Sequence, residues 1–389
     1  MKVDFKAGLF QIPIFRGLGG SSMKKCKLTD ICTPKQWKTI PTSELMDSGY
    51  PVYGANGVIG YYRDYNHEKP TVTITCRGAT CGNINLTIPQ SYVTGNAMCL
   101  DNVDENVVVK YLYYAMQAFN FTKVISGSAQ PQITRENLQK VEICVYSIEK
   151  QSMIVNHLEA VERLIHNRKM QLEKLYELVQ SRFVEMFGDT KINNKRWKTT
   201  KLLNILEKGS SVSYGIVQTG DDIEGGVPVF RPIDIAGGHI PKISELKRTD
   251  KEISDKYKRT LLKGYELLIT VRGSVGETFQ TNVEFAGCNV GRNIVPLRFD
   301  TDKVLYKYME NYFSQSGTKD ILASMTKGIA LQGLNMSEFR EIAIIIPPIE
   351  LQKEFVRFAE TIDKSKSAIQ KSLDELEILK KSLMQKYFG

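Results

Sequence analysis

The chain has 389 residues, 42% of them apolar, and a formal net charge of +9. This length and apolar content predict two or three globular domains and exclude a mainly disordered chain. Because the sequence has no run of eighteen apolar residues and no secretory signal at its start, we expect a cytoplasmic location without membrane insertion.

Seven cysteines without a CxxC pair are typical of reduced thiols in an intracellular protein. The four histidines are not spaced to complete a tetrahedral zinc site with them, so we predict no metal site. Residues 150–188 and 350–389, which contain the two long helical segments described below, each carry a net charge of +1. Most of the positive charge therefore lies on the globular parts, where it is available to phosphates.

The sequence contains two copies of one pattern. LEKLYELVQSRFVEMFG at 172–188 aligns with LDELEILKKSLMQKYFG at 373–389, and the same offset of 201 pairs Gln151 with Gln352. Such a repeat indicates two tandem units. The predicted divisions are a leader or expression remnant at 1–22, globular domains at 23–150 and 189–349, and long helices at 151–188 and 350–389.

Each globular region combines strand and helix patterns. TVTITC at 71–76 and ELLITV at 266–271 predict buried strands that lead into an Arg-Gly turn. YLYYAMQAF at 111–119 and VLYKYMENYF at 304–313 have the apolar period of a helix. The predicted fold class of both regions is α/β or α+β.

The long helices carry apolar residues at alternating spacings of four and three, which is typical of a coiled-coil seam. Charged positions of one seam correspond to apolar positions of the other, as with Arg168 and Ile369. We therefore expect the helices of one chain to pair antiparallel, with a pseudo-twofold relation between the units. The alternative is that each helix packs only on its own domain. The predicted seam residues are Leu158, Ile165, Leu172, Leu175, Ile362, Ile369, Leu373 and Leu376.

The first candidate nucleic-acid contact is the Arg-Gly turn, with Arg77 in one copy and Arg272 in the other. A guanidinium group binds phosphate, or binds guanine through two hydrogen bonds. The alternative is that each arginine pairs with a carboxylate to hold the turn.

The second candidate is the amide-rich segment SGSAQPQIT at 126–134 and its counterpart TKGIALQGLN at 326–335. Amide side chains read adenine edges, and lysines contact phosphates. A solvated loop is the alternative. The candidate residues are Lys123, Gln130, Gln132, Lys327, Gln332 and Asn335.

The third candidate is YPVYGANGVIGYY at 50–62, where Tyr53 and Asn56 lie near a glycine-bearing turn. Its counterpart, VPVFRPIDIAGGHI at 227–240, places Arg231 there. Divergence at this place is expected if the two units read different half-sites, and it is also typical of ordinary surface loops.

Catalytic motifs are mostly absent from the sequence. It has no phosphate-binding GxxxxGK[ST] loop, no glycine-rich cofactor loop and no Asn/Asp-Pro-Pro-aromatic tetrapeptide. Pro232, Asp234, Glu245 and Lys247 formally match a magnesium-dependent nuclease pattern, which we interpret as chance because only one copy has it. A stand-alone site-specific DNA-binding protein or a magnesium-dependent nuclease is the alternative function.

The paired segments QITRENLQKVEICVYSIEKQ and LNMSEFREIAIIIPPIELQK, the helices after them and the Phe-Gly that ends each helix resemble the specificity subunits of Type I restriction-modification systems over residues 23–389. Tyr146 and Ser147 depart from this pattern, since the second copy has Pro347 and Pro348 there.

This resemblance implies two target-recognition domains joined by an antiparallel helical spacer, with no catalytic residue and no cofactor in this chain. It implies recognition of a bipartite, gapped site in double-stranded DNA. The implied partners are two adenine-N6 methyltransferase subunits and two restriction subunits, which would hold S-adenosylmethionine, Mg²⁺ and ATP.

Overall fold

The computed structural model describes residues 23–127, 130–235, 241–327 and 333–389, so the predicted leader at 1–22 lies outside it. The chain divides into two compact units. Unit 1 comprises the described residues up to Arg168 together with Ser372–Gly389, and unit 2 comprises Lys169–Lys371. Within the described ranges, every helix is too short or too polar to cross a membrane.

Unit 1 mixes strands and helices, as predicted. In chain order its elements are β1 (Lys24–Lys27), α1 (Leu28–Ile31), β2 (Thr33–Gln36), β3 (Tyr50–Gly54), β4 (Gly57–Tyr62), β5 (Val72–Thr75), β6 (Ile84–Leu86), β7 (Tyr92–Val93), β8 (Ala97–Asp101), α2 (Val109–Ala118), α3 (Arg135–Leu138), β9 (Glu142–Val145) and the first part of α4 (Ile148–Phe187). The order β2-β8-β5-β6 forms an antiparallel sheet. β3 pairs antiparallel with β4 and parallel with β7, while β1 pairs antiparallel with β9.

Unit 2 follows the same plan. Its elements after α4 are β10 (Thr199–Lys201), β11 (Val227–Phe230), α5 (Pro232–Ile235), β12 (Lys247–Thr249), α6 (Lys251–Asp255), β13 (Leu267–Thr270), β14 (Thr278–Gln280), β15 (Asn289–Val290), β16 (Ile294–Leu297), α7 (Tyr306–Ser314), α8 (Ser316–Ser324), β17 (Thr326–Lys327), β18 (Gly333–Leu334), α9 (Met336–Arg340), β19 (Ala343–Ile345) and the first part of α10 (Ile349–Phe388). The sheets β14-β13-β16, β12-β11-β15 and β10-β19 repeat the pairings of unit 1, and β17 pairs with β18.

The repeated strands and helices confirm the sequence-based predictions. β5 and β13 are buried along their whole length because they are runs of apolar and β-branched residues. The predicted helices are α2 and α7, and a buried tyrosine ties each to the strand before the long helix. Tyr111 Oη donates to the carbonyl of Cys144, and Tyr308 Oη donates to that of Ile345 at 3.0 Å.

In unit 1, the beginning of α4 lies along the end of α10. His157 Nδ1 is 3.1 Å from Tyr387 Oη, and Lys380 Nζ is 2.7 Å from a Glu162 carboxylate oxygen. Residue numbers rise along one helix as they fall along the other, so the two segments pair antiparallel. The seam residues of this unit are buried or half-buried: Leu158, Ile165, Leu373 and Leu376.

In unit 2, the end of α4 lies along the beginning of α10. The rings of Phe183 and Phe355 are 5.3 Å apart, and Arg182 Nη2 is 3.1 Å from a Glu354 oxygen. Lys366 Nζ lies 5.7 Å from the centre of the Tyr176 ring, so residue numbers fall along α4 as they rise along α10, and this pairing is also antiparallel, as predicted. Phe183 and Phe187 belong to the main core of this unit, so the end of the first long helix packs on the second globular region. The seam residues of this unit are half-buried: Leu172, Leu175, Ile362 and Ile369.

Candidate nucleic-acid interface

An Arg-Gly turn follows the central strand of each unit. Gly78 and Gly273 have φ angles of +86° and +76°, a left-handed conformation that glycine adopts without strain. Arg77 and Arg272 before them are exposed. In the part of the chain that the structure describes, no carboxylate pairs with either arginine, which removes the support for a purely structural role there.

The structure brings the turn and the amide-rich segment together in unit 1. The backbone of Arg77 pairs antiparallel with that of Gln132, and the amide of Gly78 donates to the carbonyl of Pro131 at 3.1 Å. The amide of Ile133 donates to the carbonyl of Cys76 at 3.0 Å. Gln132 is exposed beside Arg77, and Gln130, two residues earlier, is also exposed.

Unit 2 repeats this juxtaposition with different residues. The backbone of Arg272 pairs antiparallel with that of Gly333, and the amide of Leu334 donates to the carbonyl of Val271 at 2.9 Å. The Arg272 guanidinium carbon lies 5.4 Å from the centre of the Tyr214 ring, a cation–π contact that orients it.

The predicted turn at 50–62 is the hairpin of β3 and β4, with Asn56 exposed at its tip. Thr75 Oγ1 donates to the carbonyl of Ala55, so the tip lies beside the end of β5. The three predicted places of unit 1 therefore occupy one region. Tyr53 differs, because it is buried and its hydroxyl accepts a 3.3 Å hydrogen bond from the amide of Ile88.

The counterpart in unit 2 is a short helix, α5, instead of a hairpin. Arg231 before it binds Asp234 through two hydrogen bonds, from Nε at 3.1 Å and from Nη2 at 2.8 Å. The guanidinium of Arg231 is thus engaged inside its own loop. Residues 236–240 of this segment lie outside the described residues.

The lysine and amide candidates of the second predicted place differ in their exposure and in their hydrogen bonds. Lys123 is exposed on a 3₁₀ turn. Asn335 caps α9, accepting from the amide of Ser337 at 3.0 Å and donating to Glu338 at 2.6 Å, so its amide group has a structural task. The side chain of Lys327 and all of Gln332 lie outside the described residues.

One position missed in the sequence is Arg292, in the loop between β15 and β16. It is exposed, and the next residue, Asn293, accepts a 2.8 Å hydrogen bond from the amide of Val271. Arg292 therefore lies in the turn before β16, next to the residue that the backbone of Val271 contacts. The alignment of TGNAM at 94–98 with GRNIV at 291–295 could have identified Arg292 from the sequence, because it places this arginine opposite Gly95 of the first copy. Lys319, also missed, is exposed in a groove lined by Gly273 and Thr326.

The side chains of the nuclease-like pattern are each engaged elsewhere. Asp234 binds Arg231, and Lys247 Nζ donates to Thr219 Oγ1 at 3.1 Å and to the carbonyl of Gly220. Glu245 accepts from the backbone amide of Lys242 at 3.2 Å. These contacts are structural and give no sign of a shared cation site.

A polar cluster that the sequence did not reveal lies at the end of β8. His67 Nε2 is 2.9 Å from Asp101 Oδ1, and Trp37 Nε1 donates to Asp101 Oδ2 at 3.0 Å. Cys99 joins them, with all potential ligand atoms within 4.8 Å of one another. Burial, and then the nearby Asp101 carboxylate, raise the pKa of the Cys99 thiol, which disfavours a thiolate ligand.

Unit 2 has a buried ion pair in the corresponding place. Arg298, at the end of β16, donates from Nε to Glu266 at 2.9 Å, and Glu266 is fully buried. Asp101 ends β8 and Arg298 directly follows β16, so at this end of the sheet a carboxylate of unit 1 corresponds to a guanidinium of unit 2, and each has a polar partner. The His67–Asp101 contact is therefore explained as a structural pair.

Sequence comparison identifies one family. A model described as the Type I restriction modification DNA specificity domain matches residues 20–175 and 190–378. The specificity subunit of the Type I restriction enzyme EcoBI from Escherichia coli is 21% identical over 376 residues, which is 89% of this chain and 75% of that protein. A putative Type I specificity subunit of Haemophilus influenzae is 25% identical over 352 residues, 86% of each protein.

Structure comparison gives the same fold. The S subunit of a Type I restriction-modification system from M. genitalium matches with a TM-score of 0.59 and 16% identity, covering 96% of this chain and 98% of that one. A chain from a structure on complex assembly and conformational transition of the Type I system matches with a TM-score of 0.53 and 16% identity, covering 96% and 99%.

Proposed function

The chain belongs to the family of Type I restriction-modification DNA specificity subunits, which are non-catalytic, and from this we propose that it recognises a bipartite, gapped site in double-stranded DNA. In this proposal two adenine-N6 methyltransferase subunits, and two restriction subunits where the system restricts, bind to the chain and act at that site. S-adenosylmethionine, Mg²⁺ and ATP would serve those partner subunits.

The repeated Arg-Gly turn is the observation that carries the proposal. In both units an exposed arginine follows the buried central strand and bridges to the segment before α3 or α9. Exposed arginines on rigid strand ends suit reading of base edges, while lysines nearby suit phosphate contacts. Two such sites of different composition in one chain support two half-sites of different sequence.

The experiment is methylation-sensitive sequencing of DNA from cells that carry the chain with its neighbouring methyltransferase gene. A gapped adenine-methylated motif that disappears when the chain is deleted supports the proposal. An active methyltransferase that keeps the same motif without the chain contradicts it.

A chimera sharpens this test. Replacing residues 33–101 with those of a relative exchanges β2 to β8, including the Arg77 turn and the hairpin. It leaves α2 and its contacts to the long helices intact. The expected result is a motif with one changed half and the other half preserved. Exchanging the exposed residues of the helix and 3₁₀ turn at 251–260, with the buried Ser254 and Thr260 kept, provides a control that should leave both halves unchanged.

A further inference from the structure

Three positions of unit 1 lie around the end of its central strand. The β5–β8 register pairs Thr75 with Ala97, and the amide of Cys76 donates to the carbonyl of Asn96 at 3.4 Å. Arg77 follows Cys76, and Gly95 precedes Asn96 in the turn before β8, where the amide of Ala97 donates to the carbonyl of Thr94 at 3.1 Å. Arg77 also bridges to Gln132. We name Gly95, Arg77 and Gln132 row 1.

Unit 2 has the same row in a different composition. The β13–β16 register pairs Thr270 with Ile294, and the amide of Val271 donates to the carbonyl of Asn293 at 2.8 Å. Arg272 follows Val271, and Arg292 precedes Asn293 in the turn before β16, where the amide of Ile294 donates to the carbonyl of Gly291 at 3.0 Å. Arg272 also bridges to Gly333. Row 2 is therefore Arg292, Arg272 and Gly333. Both rows contain the shared arginine. The second polar side chain of row 1, Gln132, is on the segment that pairs with this arginine, whereas that of row 2, Arg292, is in the turn before β16.

Neighbouring atoms leave little room for a side chain at Gly95 and Gly333. A Cβ on Gly95 would lie 2.7 Å from the carbonyl oxygen of Trp37 and 2.9 Å from Thr39 Oγ1. A Cβ on Gly333 would lie 2.9 Å from Cγ and 3.2 Å from Nε of Arg272. Row 1 thus has no room for a side chain on the Gly95 side, and in row 2 a side chain at Gly333 would displace Arg272.

The exposed side chains of each row have distinct base preferences. Glutamine pairs with adenine through N6 and N7, and arginine pairs with guanine through O6 and N7. Within the described ranges, neither Arg272 nor Arg292 makes an ion pair, so both guanidinium groups are available.

We propose that row 1 reads a guanine and an adjacent adenine through Arg77 and Gln132, and that row 2 reads two guanines through Arg272 and Arg292. This inference rests on the proposed function. Arg292 and Gln132 are then the residues that make the two half-sites differ at these positions, because the central arginine is shared.

The test uses the complex of the full chain with its methyltransferase subunits. Methyl transfer is measured on duplexes that carry the wild-type motif or each single base-pair change. For Arg292→Ala, we expect discrimination at one G·C pair of one half-site to fall about 10- to 100-fold. Gln132→Ala should relax one A·T pair of the other half-site, with both changes confined to their own half.

Conservative and matched variants separate base reading from charge. Arg292→Lys keeps the charge but loses the two-pronged hydrogen bond, so it should also relax the G·C pair. Arg259→Ala and Gln139→Ala remove exposed side chains of the same types elsewhere in each unit and should leave every position unchanged. Thermal unfolding of each complex confirms that the variants are folded.

The possible failures are distinguishable. If the wild-type complex yields no gapped motif, the proposed function fails, and this inference fails with it. If the wild-type motif is present but Arg292→Ala and Gln132→Ala keep full discrimination, only the row assignment is wrong. A uniform loss of methylation on all duplexes, rescued by Arg292→Lys, would identify phosphate contacts and overturn base reading.

Discussion

The side-chain oxygen of Gln151 accepts a 2.8 Å hydrogen bond from the backbone amide of Val108. The same side chain donates to the carbonyls of Asn106, at 2.8 Å, and Tyr146, at 2.7 Å, and it is fully buried. One glutamine on α4 thus holds both the loop before α2 and the loop before α4.

Gln352 on α10 makes the equivalent set of bonds in unit 2. Its oxygen accepts from the amide of Leu305 at 3.0 Å, and its nitrogen donates to Lys303 and Pro347 at 3.1 and 3.0 Å. The pair of glutamines recognised in the sequence repeat is therefore a structural clamp between each long helix and its globular region.

We expect Gln151→Ala and Gln352→Ala each to lower the free energy of unfolding by about 3 kcal/mol. Each change removes the partner of one backbone amide and two backbone carbonyls, in hydrogen bonds that are partly or fully buried. Chemical denaturation of the purified chain measures the effect. Gln139→Ala, at an exposed position, should change stability little, and an equal loss there would contradict the clamp.

The end of α10 should stabilise unit 1 selectively. The Phe388 ring lies 5.2 Å from that of Tyr111, and Tyr387 contacts His157. Phe388→Ala should cost about 2 kcal/mol, less than a fully buried phenylalanine because the side chain is half-buried. Hydrogen exchange should rise in α2 and the beginning of α4 while the core of unit 2 stays protected.

Lys381→Ala, on the exposed side of the same helix, is the control for this prediction. Faster exchange around Phe183 and Phe355 in the Phe388 variant, equal to that in α2, would show that the end of α10 does not act on unit 1 alone.

The elements with strong periodicity were predictable from the sequence. Buried strands such as β5, and the two long helices with their seams, show their environment in the local pattern because one side or the whole segment is apolar. Residues in irregular loops were less predictable. Asn335 precedes Glu338 by three positions, a capping pattern that explains its role, but the adjacent amides obscured that signal.

The composition of the rows was not predictable because it depends on pairing between distant strands. The turn that carries Arg292 lies near the Arg272 turn only because β13 and β16 pair in a particular register, and the local sequence of neither strand determines that register. The same reason hid the contact of His67 with Asp101. The two copies also differ in structure at the third candidate place, which is a hairpin in unit 1 and the short helix α5 in unit 2. Aligning the two sequences identified these positions as equivalent but did not reveal that their structures differ.

The buried pair of Glu266 and Arg298 should make unit 2 sensitive to acid. Burial raises the pKa of Glu266, but hydrogen bonds from the amide of Lys263, from Arg298 and from the amide of Tyr265 together bring that pKa below its ordinary value. A lowered pKa stabilises the folded state above the ordinary glutamate pKa. This contribution is lost as the pH falls through the lower pKa of the folded protein.

At neutral pH, Glu266→Gln should therefore destabilise unit 2 by about 3 kcal/mol, because Arg298 loses its buried counter-charge. The stability difference between wild type and variant should shrink as the pH is lowered through the acidic range. Denaturation curves at several pH values give this difference. A difference that is constant with pH would show that the Glu266 charge does not contribute.

Exposed lysines of the two candidate interfaces should contribute to DNA affinity without affecting sequence choice. Lys123 and Lys319 are exposed, and Lys319 lines the groove next to Gly273. Each phosphate contact releases counterions, so the affinity of the complex for DNA falls with salt in proportion to the number of contacts. Lys123→Ala and Lys319→Ala should each reduce the slope of log affinity against log salt concentration by about 1. Binding titrations over a range of salt concentrations measure the slope, and Lys251→Ala, exposed on α6, is the control.

The methylated motif should stay unchanged in the Lys123 and Lys319 variants. A variant that alters the motif but not the slope would instead place its lysine on a base edge, because only base contacts carry sequence information.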